Sequence, residues 1–165
     1  MRRLVACIVG FALASSLSGS AQADPLAGLR FLLGDWRAVD LPAGESGAFT
    51  FRVDVQGRVI VRTNEANYAA TADHPASRHE DLMVIFTEGG AIRAEYFDSE
   101  GHVIRYSAQT RPNAVVFVSD PAPREPRYRL TYTAGADGVL AGSFELAPPG
   151  SDTFKPYLSW KARRR

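Results

Sequence analysis

The residues with chemistry to offer are few and lie close together. His74, His79, Glu80, Asp81, Asp98 and His102 are the clustered ligand and acid–base types, with Tyr96 and Tyr106 nearby. None falls into a closed metal spacing such as His-Glu-x-x-His, so no metal site is assigned. Along a strand neighbouring side chains point to opposite faces, so His79 and Asp81 can share a face that Glu80 cannot join. That pair is a candidate for proton transfer, although a histidine at the head of a strand also serves as a plain hydrogen-bonding group. Nucleophilic catalysis lacks its parts, because there is no Gly-x-Ser-x-Gly elbow and the single cysteine is Cys7. No two acids stand out as a glycosidase pair, and no catalytic residue is assigned.

What could position these side chains is a β-hairpin. Over 91–97, Ile92, Ala94 and Tyr96 share one face and Arg93, Glu95 and Phe97 the other; over 103–109, His102, Ile104 and Tyr106 oppose Val103, Arg105 and Ser107. The charged members gather on one side, which predicts an interior face carrying Tyr96, His102 and Tyr106. Asp98 continues the alternation of Tyr96 and comes within reach of His102. Tyr96, His102, Tyr106, Asp98 and His79 are therefore the candidate ligand contacts, an apolar surface with a few orienting polar groups. The competing reading of the same residues is cross-strand packing by the tyrosines and turn formation by Asp98.

The hairpin belongs to a longer series of period-two runs: 35–39, 48–55, 58–64, 82–87, 91–97, 103–109, 114–119, 127–133, 139–146 and 154–163. Between them stands turn chemistry, including Gln56-Gly57, Glu88-Gly89-Gly90, Pro112-Asn113 and Pro148-Pro149-Gly150. About ten short strands with no crossover helices predict an all-β fold, a single antiparallel up-and-down barrel whose closure removes exposed edges. A short helix or turn over 25–33 leads in. Phe49, Phe51, Phe117, Phe144 and Phe154 are the large residues expected inside. Residues 65–80 read as an irregular loop long enough to cover the barrel mouth, and 120–126 as a stiff proline-rich connection.

Residues 1–23 have the layout of a secretory signal: Arg2 and Arg3, an apolar run from Leu4 to Leu17, and Ala21-Gln22-Ala23 at the cleavage site. The apolar run falls short of the roughly 20 residues that a spanning helix needs. Cys7 sits inside the leader with most of the apolar region after it, which is not the place of a lipid-attachment cysteine. The expected product is an exported, periplasmic or secreted chain of one domain, 24–165, without cysteine. Losing Arg2 and Arg3 takes the formal charge from +1 to −1, a balance that calls for neither nucleic acid nor an anionic membrane.

Gly34-Asp35-Trp36 at the first strand, the ten-strand meander and the closing Trp160-Lys161-Ala162-Arg163 resemble the calycin superfamily, the lipocalins and fatty-acid-binding proteins. The stretches 31–37 and 79–86 look most like exported bacterial lipocalin-like proteins. The resemblance implies that Trp36 closes the barrel base under an arginine from 163–165, taken to be Arg163, with Gly34 beside it. It also touches nitrobindin, whose barrel binds haem through a histidine near its C-terminus. This chain has no histidine after His102, which leaves Tyr157 as the alternative haem ligand, and no cofactor is assigned.

Three classes of function follow. The leading one is an exported carrier that holds a small apolar or amphipathic molecule in the lumen. The second is a packed barrel that acts through its outer surface. The third is a small isomerase or hydrolase that uses His79 or His102, which requires the imidazole to face the cavity.

Overall fold

Alternation and turn chemistry resolve into ten strands in the computed structural model, which describes residues 24–165. The leader and Cys7 lie outside the described residues. The strands are β1 (Gly34–Val39), β2 (Ser46–Asp54), β3 (Val59–Tyr68), β4 (Ser77–Glu88), β5 (Ala91–Asp98), β6 (Val103–Arg111), β7 (Ala114–Ser119), β8 (Arg127–Ala134), β9 (Val139–Ala147) and β10 (Lys155–Arg164). Each pairs antiparallel with the next, and β1 pairs with β10, so the sheet closes into an up-and-down barrel. No strand edge is left unpaired around the wall.

One pole is sealed. The 3₁₀ turn Ala27–Leu32 lays Leu29 and Leu32 across the barrel base, both fully buried, against Trp36. The Trp36 indole donates its Nε1–H to the Leu32 carbonyl at 2.7 Å, which satisfies the one polar atom the ring brings inside. Above this plug Phe51, Ile60, Met83, Ile85, Val115, Phe117, Tyr132 and Leu140 fill the lower lumen. Phe49 and Phe51 meet edge to face at 6.0 Å, and Phe51 meets Tyr132 at 5.5 Å in the same way.

Arg164, not Arg163, covers Trp36. Its guanidinium lies 4.5 Å from the ring centroid and donates to the carbonyls of Leu33 and Phe31. The register explains the choice: Trp36 stands directly opposite Arg164, while Arg163 alternates to the outside and donates to the Asp137 carbonyl. Gly34 serves the same arrangement, since at φ +128° a Cβ there would run into the Arg164 guanidinium.

Two expectations need correction. The stretch 65–80 is not one irregular loop: β3 and β4 run on as a paired ladder to Tyr68 and Ser77, which leaves only 69–76 unpaired. Polar residues are tolerated in this extension because its inner face lines a wet mouth, and its outer face is held by Arg78 between Glu65 and Glu80. Phe154 does not fill the lumen. It precedes β10 and packs against the guanidinium of Arg129, 4.5 Å from the ring centroid, next to that of Arg127.

Candidate functional site

The opposite pole is built differently. The inner face of β3 carries Ile60, Arg62, Asn64, Ala66 and Tyr68, paired in register with Ile85, Met83, Asp81, His79 and Ser77 of β4. Asp81 and Met83 in turn stand opposite Asp98 and Tyr96 of β5. Apolar below and polar above, this wall changes character halfway up the barrel.

At the change of character sits a buried ion pair, Arg62 with Asp81, whose side chains are 6% and 3% exposed. Two charges so far from water persist only if their remaining hydrogen-bonding capacity is used. Asp81 meets that condition: Arg62 donates to one carboxylate oxygen, and Asn64 at 2.9 Å and His79 at 3.3 Å approach the other. Arg62 meets it in part, with its Nε–H unpartnered and its guanidinium 5.7 Å from the Phe49 ring centroid. The Tyr132 hydroxyl is also buried without a partner.

His79 is three-quarters buried and held at both nitrogens, with Nε2 facing Asp81 and Nδ1 2.8 Å from a Glu100 carboxylate oxygen. The hydrogen bond to Asp81, joined by that to Glu100, raises the imidazole pKa to about 9 against the cost of burial. At neutral pH the ring is a cation with both N–H groups engaged, and so not a general base. The Tyr96 hydroxyl lies 3.3 Å from His79 Nε2. Burial, and then the nearby Asp81 carboxylate, push the Tyr96 phenol far above its ordinary value, so it stays protonated.

The other expected residues divide. Tyr106 is on the inner face but fully buried, edge to face with Phe117 at 6.2 Å, as part of the packed floor. Asp98 and His102 are hydrogen-bonded at 2.8 Å, but His102 is not in the lumen; its side chain is 60% exposed. The reason lies in the turn. Asp98 accepts the backbone N–H groups of Glu100 and His102, which lifts His102 beyond the first residue of β6. Asp98, Glu100 and His102 do bring ligand-type atoms within 4.8 Å of one another. That proximity is the hydrogen bonding of a tight turn. Tyr157 is largely exposed on the rim and stands edge to face with Phe144 at 6.2 Å.

Arg62 and Asn64 are not singled out by the sequence; Asp81 is, only as a partner for His79 on a shared face, and the two do lie 3.3 Å apart. The signal was present: Arg62 and Asn64 alternate with buried Ile60, and Asp81 with Met83 and Ile85. A charge in an apolar run ordinarily marks the solvent face, and here it marks a buried pair.

Across the lumen, β8, β9 and β10 supply Tyr128, Phe144, Leu146 and Trp160. Gly142 makes room for Trp160, because a Cβ on Gly142 would occupy the space of the indole. Inward-facing Asn64, Tyr68, His79, Tyr96, Tyr128, Phe144 and Trp160 are all only partly buried. Inward side chains that still touch solvent leave this pole less closed than the plugged one, a cup of partly buried side chains. The hollows of about 500 and 350 Å³ lie elsewhere, on the outer side of β1, β2 and β3, around Glu65, Ala48 and Arg165.

No protein-family model matches the chain, and no curated protein matches it by sequence. The fold and the cup therefore carry the functional argument by themselves.

Proposed function

We propose that the chain is an exported lipocalin-like protein of the calycin type that holds a small apolar or amphipathic molecule in the open half of its barrel. The supporting observation is the contrast within one lumen: the floor beneath the Arg62–Asp81 pair is closely packed, while Asn64, Tyr68, His79, Tyr96, Tyr128, Phe144 and Trp160 around and above it are only partly buried. A closed sheet with one plugged end and one wet, aromatic-lined end is the form of a container. Export rests on the leader over residues 1–23.

His79 as a base in catalysis loses ground, because two carboxylates keep it charged at neutral pH. His102, turned outward, is eliminated from lumen chemistry. The outer hollows beside β1–β3 favour a second reading, in which the wall of the barrel meets a partner.

Native mass spectrometry of the protein purified from its own host tests the carrier reading. A bound mass of a few hundred daltons that leaves on denaturation is expected. An apo mass, together with unchanged Trp160 emission across a panel of amphipathic compounds, overturns it in favour of the outer surface.

A further inference from the structure

The cup has two unlike walls, and they face each other. In the closed strand order β3, β4 and β5 stand diametrically across from β8, β9 and β10. The first wall is polar, with Asn64 and Tyr96 beside the Arg62–Asp81 pair and His79 above it. The second is aromatic. Tyr128 and Phe144 stack at 5.7 Å with an interplanar angle of 10°, and Trp160 continues the surface above Tyr132, edge to face at 5.9 Å. Such a cup grips a plate along one face and one edge. A purely aliphatic ligand would leave the polar wall without hydrogen bonds.

The hydrogen-bond inventory of the polar wall sets the chemistry of that edge. Both Asp81 oxygens are taken, by Arg62 on one side and by Asn64 and His79 on the other. Protonated His79 has no lone pair, so at its contact with Tyr96 the phenol oxygen accepts and the phenol hydrogen is left over. The Arg62 Nε–H and the Tyr132 hydroxyl also lack partners, but both are buried beneath the cup. On the wall itself Asn64 keeps its amide oxygen as an acceptor, and the Tyr96 hydrogen is the donor left for an acceptor on a ligand. Its charge follows from the same groups: two cations, Arg62 and His79, stand with three carboxylates, Asp81, Asp98 and Glu100. Glu45 approaches the rim beside Tyr68. The surroundings give an anionic head group no net attraction.

Resting on the carrier reading above, we propose that the ligand is an uncharged, planar ring compound with a carbonyl-type acceptor on one edge, stacked on Tyr128, Phe144 and Trp160 and receiving the Tyr96 hydroxyl hydrogen. It is not a fatty acid or another flexible anion.

Calorimetric titration of the purified protein with three probes decides this: flavone (planar, acceptor only), 2-phenylnaphthalene (planar, no acceptor) and dodecanoate (flexible anion). Flavone is expected to bind at least tenfold tighter than dodecanoate and about threefold to tenfold tighter than 2-phenylnaphthalene, the span of one hydrogen bond. Tyr96→Phe should bring flavone to the level of 2-phenylnaphthalene and leave the latter unchanged. Phe144→Leu, on the half-exposed wall where folding is least at stake, should weaken both planar probes alike. If dodecanoate binds as tightly as flavone, the ligand class is overturned while the lumen remains a binding site. Equal affinity for the two planar probes, or an inert Tyr96→Phe, overturns the acceptor edge. If no probe binds and the protein from its host is also apo, the carrier reading falls, and this inference with it.

Discussion

The two poles of the barrel are made of the same strands and do opposite things. At the plug the polar atoms of Trp36 and Arg164 find partners: the Trp36 Nε1–H goes to the Leu32 carbonyl, and the Arg164 guanidinium goes to Leu33 and Phe31 while covering the indole. The open pole keeps partly buried aromatic rings and a charged imidazole, and the two lumen donors without partners, Arg62 Nε–H and the Tyr132 hydroxyl, lie buried between the two ends. The lesson concerns where the fold places its stability. Packing and satisfied hydrogen bonds at one end free the other end to hold groups chosen for something other than packing.

The contrast can be broken most severely at the plug. Trp36→Ala removes a buried aromatic, its hydrogen bond and the platform for Arg164, and should cost about 3–5 kcal/mol in urea unfolding. An unchanged midpoint would show that the 3₁₀ turn seals the base without it. Next comes the boundary between the halves. Asp81→Ala strands the buried Arg62 and should cost a comparable 3–5 kcal/mol, whereas replacing both partners by apolar residues of similar volume should cost far less. Equal losses in the single and double variants would remove the ion pair from the account.

The open pole is then read through His79. An NMR titration should place its pKa near 9, and Asp81→Asn should bring it back toward 6.5. Because the folded value lies above the unfolded one, the stability that the imidazolium supplies is complete below about pH 6.5 and fades as the pH climbs through 9. A His79→Gln variant should therefore be less stable than the parent in neutral solution and converge with it above pH 9. The smallest effect belongs to the rim: Tyr157→Ser, at a side chain largely in solvent, should change stability by no more than about 0.5 kcal/mol. A larger loss would mean that the mouth is more tightly packed than its exposure implies.

The strand count was legible because two signals agreed, alternation within each run and glycine, proline or asparagine between runs. Gly89 and Gly90, both at positive φ, turn the chain between β4 and β5 where the sequence marks a break. Legibility failed where the interior is polar. Glu65 to Tyr68 and Ser77 to Glu80 are strand, but their alternation is written in small and polar residues that hydropathy cannot separate from loop. The same physics hid Arg62 and its pairing with Asp81, since an arginine reads as an ordinary surface residue until the register brings the two together. His102 failed for a local reason: the Asp98 turn ends the alternation one residue before β6 begins. Trp36 was legible with its partner wrong by one position, and one position along a strand exchanges inside for outside.

The ladder joining β1 to β10 has a kinetic consequence. Nine of the ten seams link neighbours in the chain and can zip locally, but Trp36 reaches Arg164 only after nearly the whole chain has been threaded around the barrel. Closing so long a loop costs entropy before any contact repays it, so this seam should form last, on the slow timescale of high-contact-order β proteins. Until then the chain is an open ribbon with two bare edges, β1 and β10, and the burial of Trp36 marks the moment at which its tendency to pair with other molecules ends.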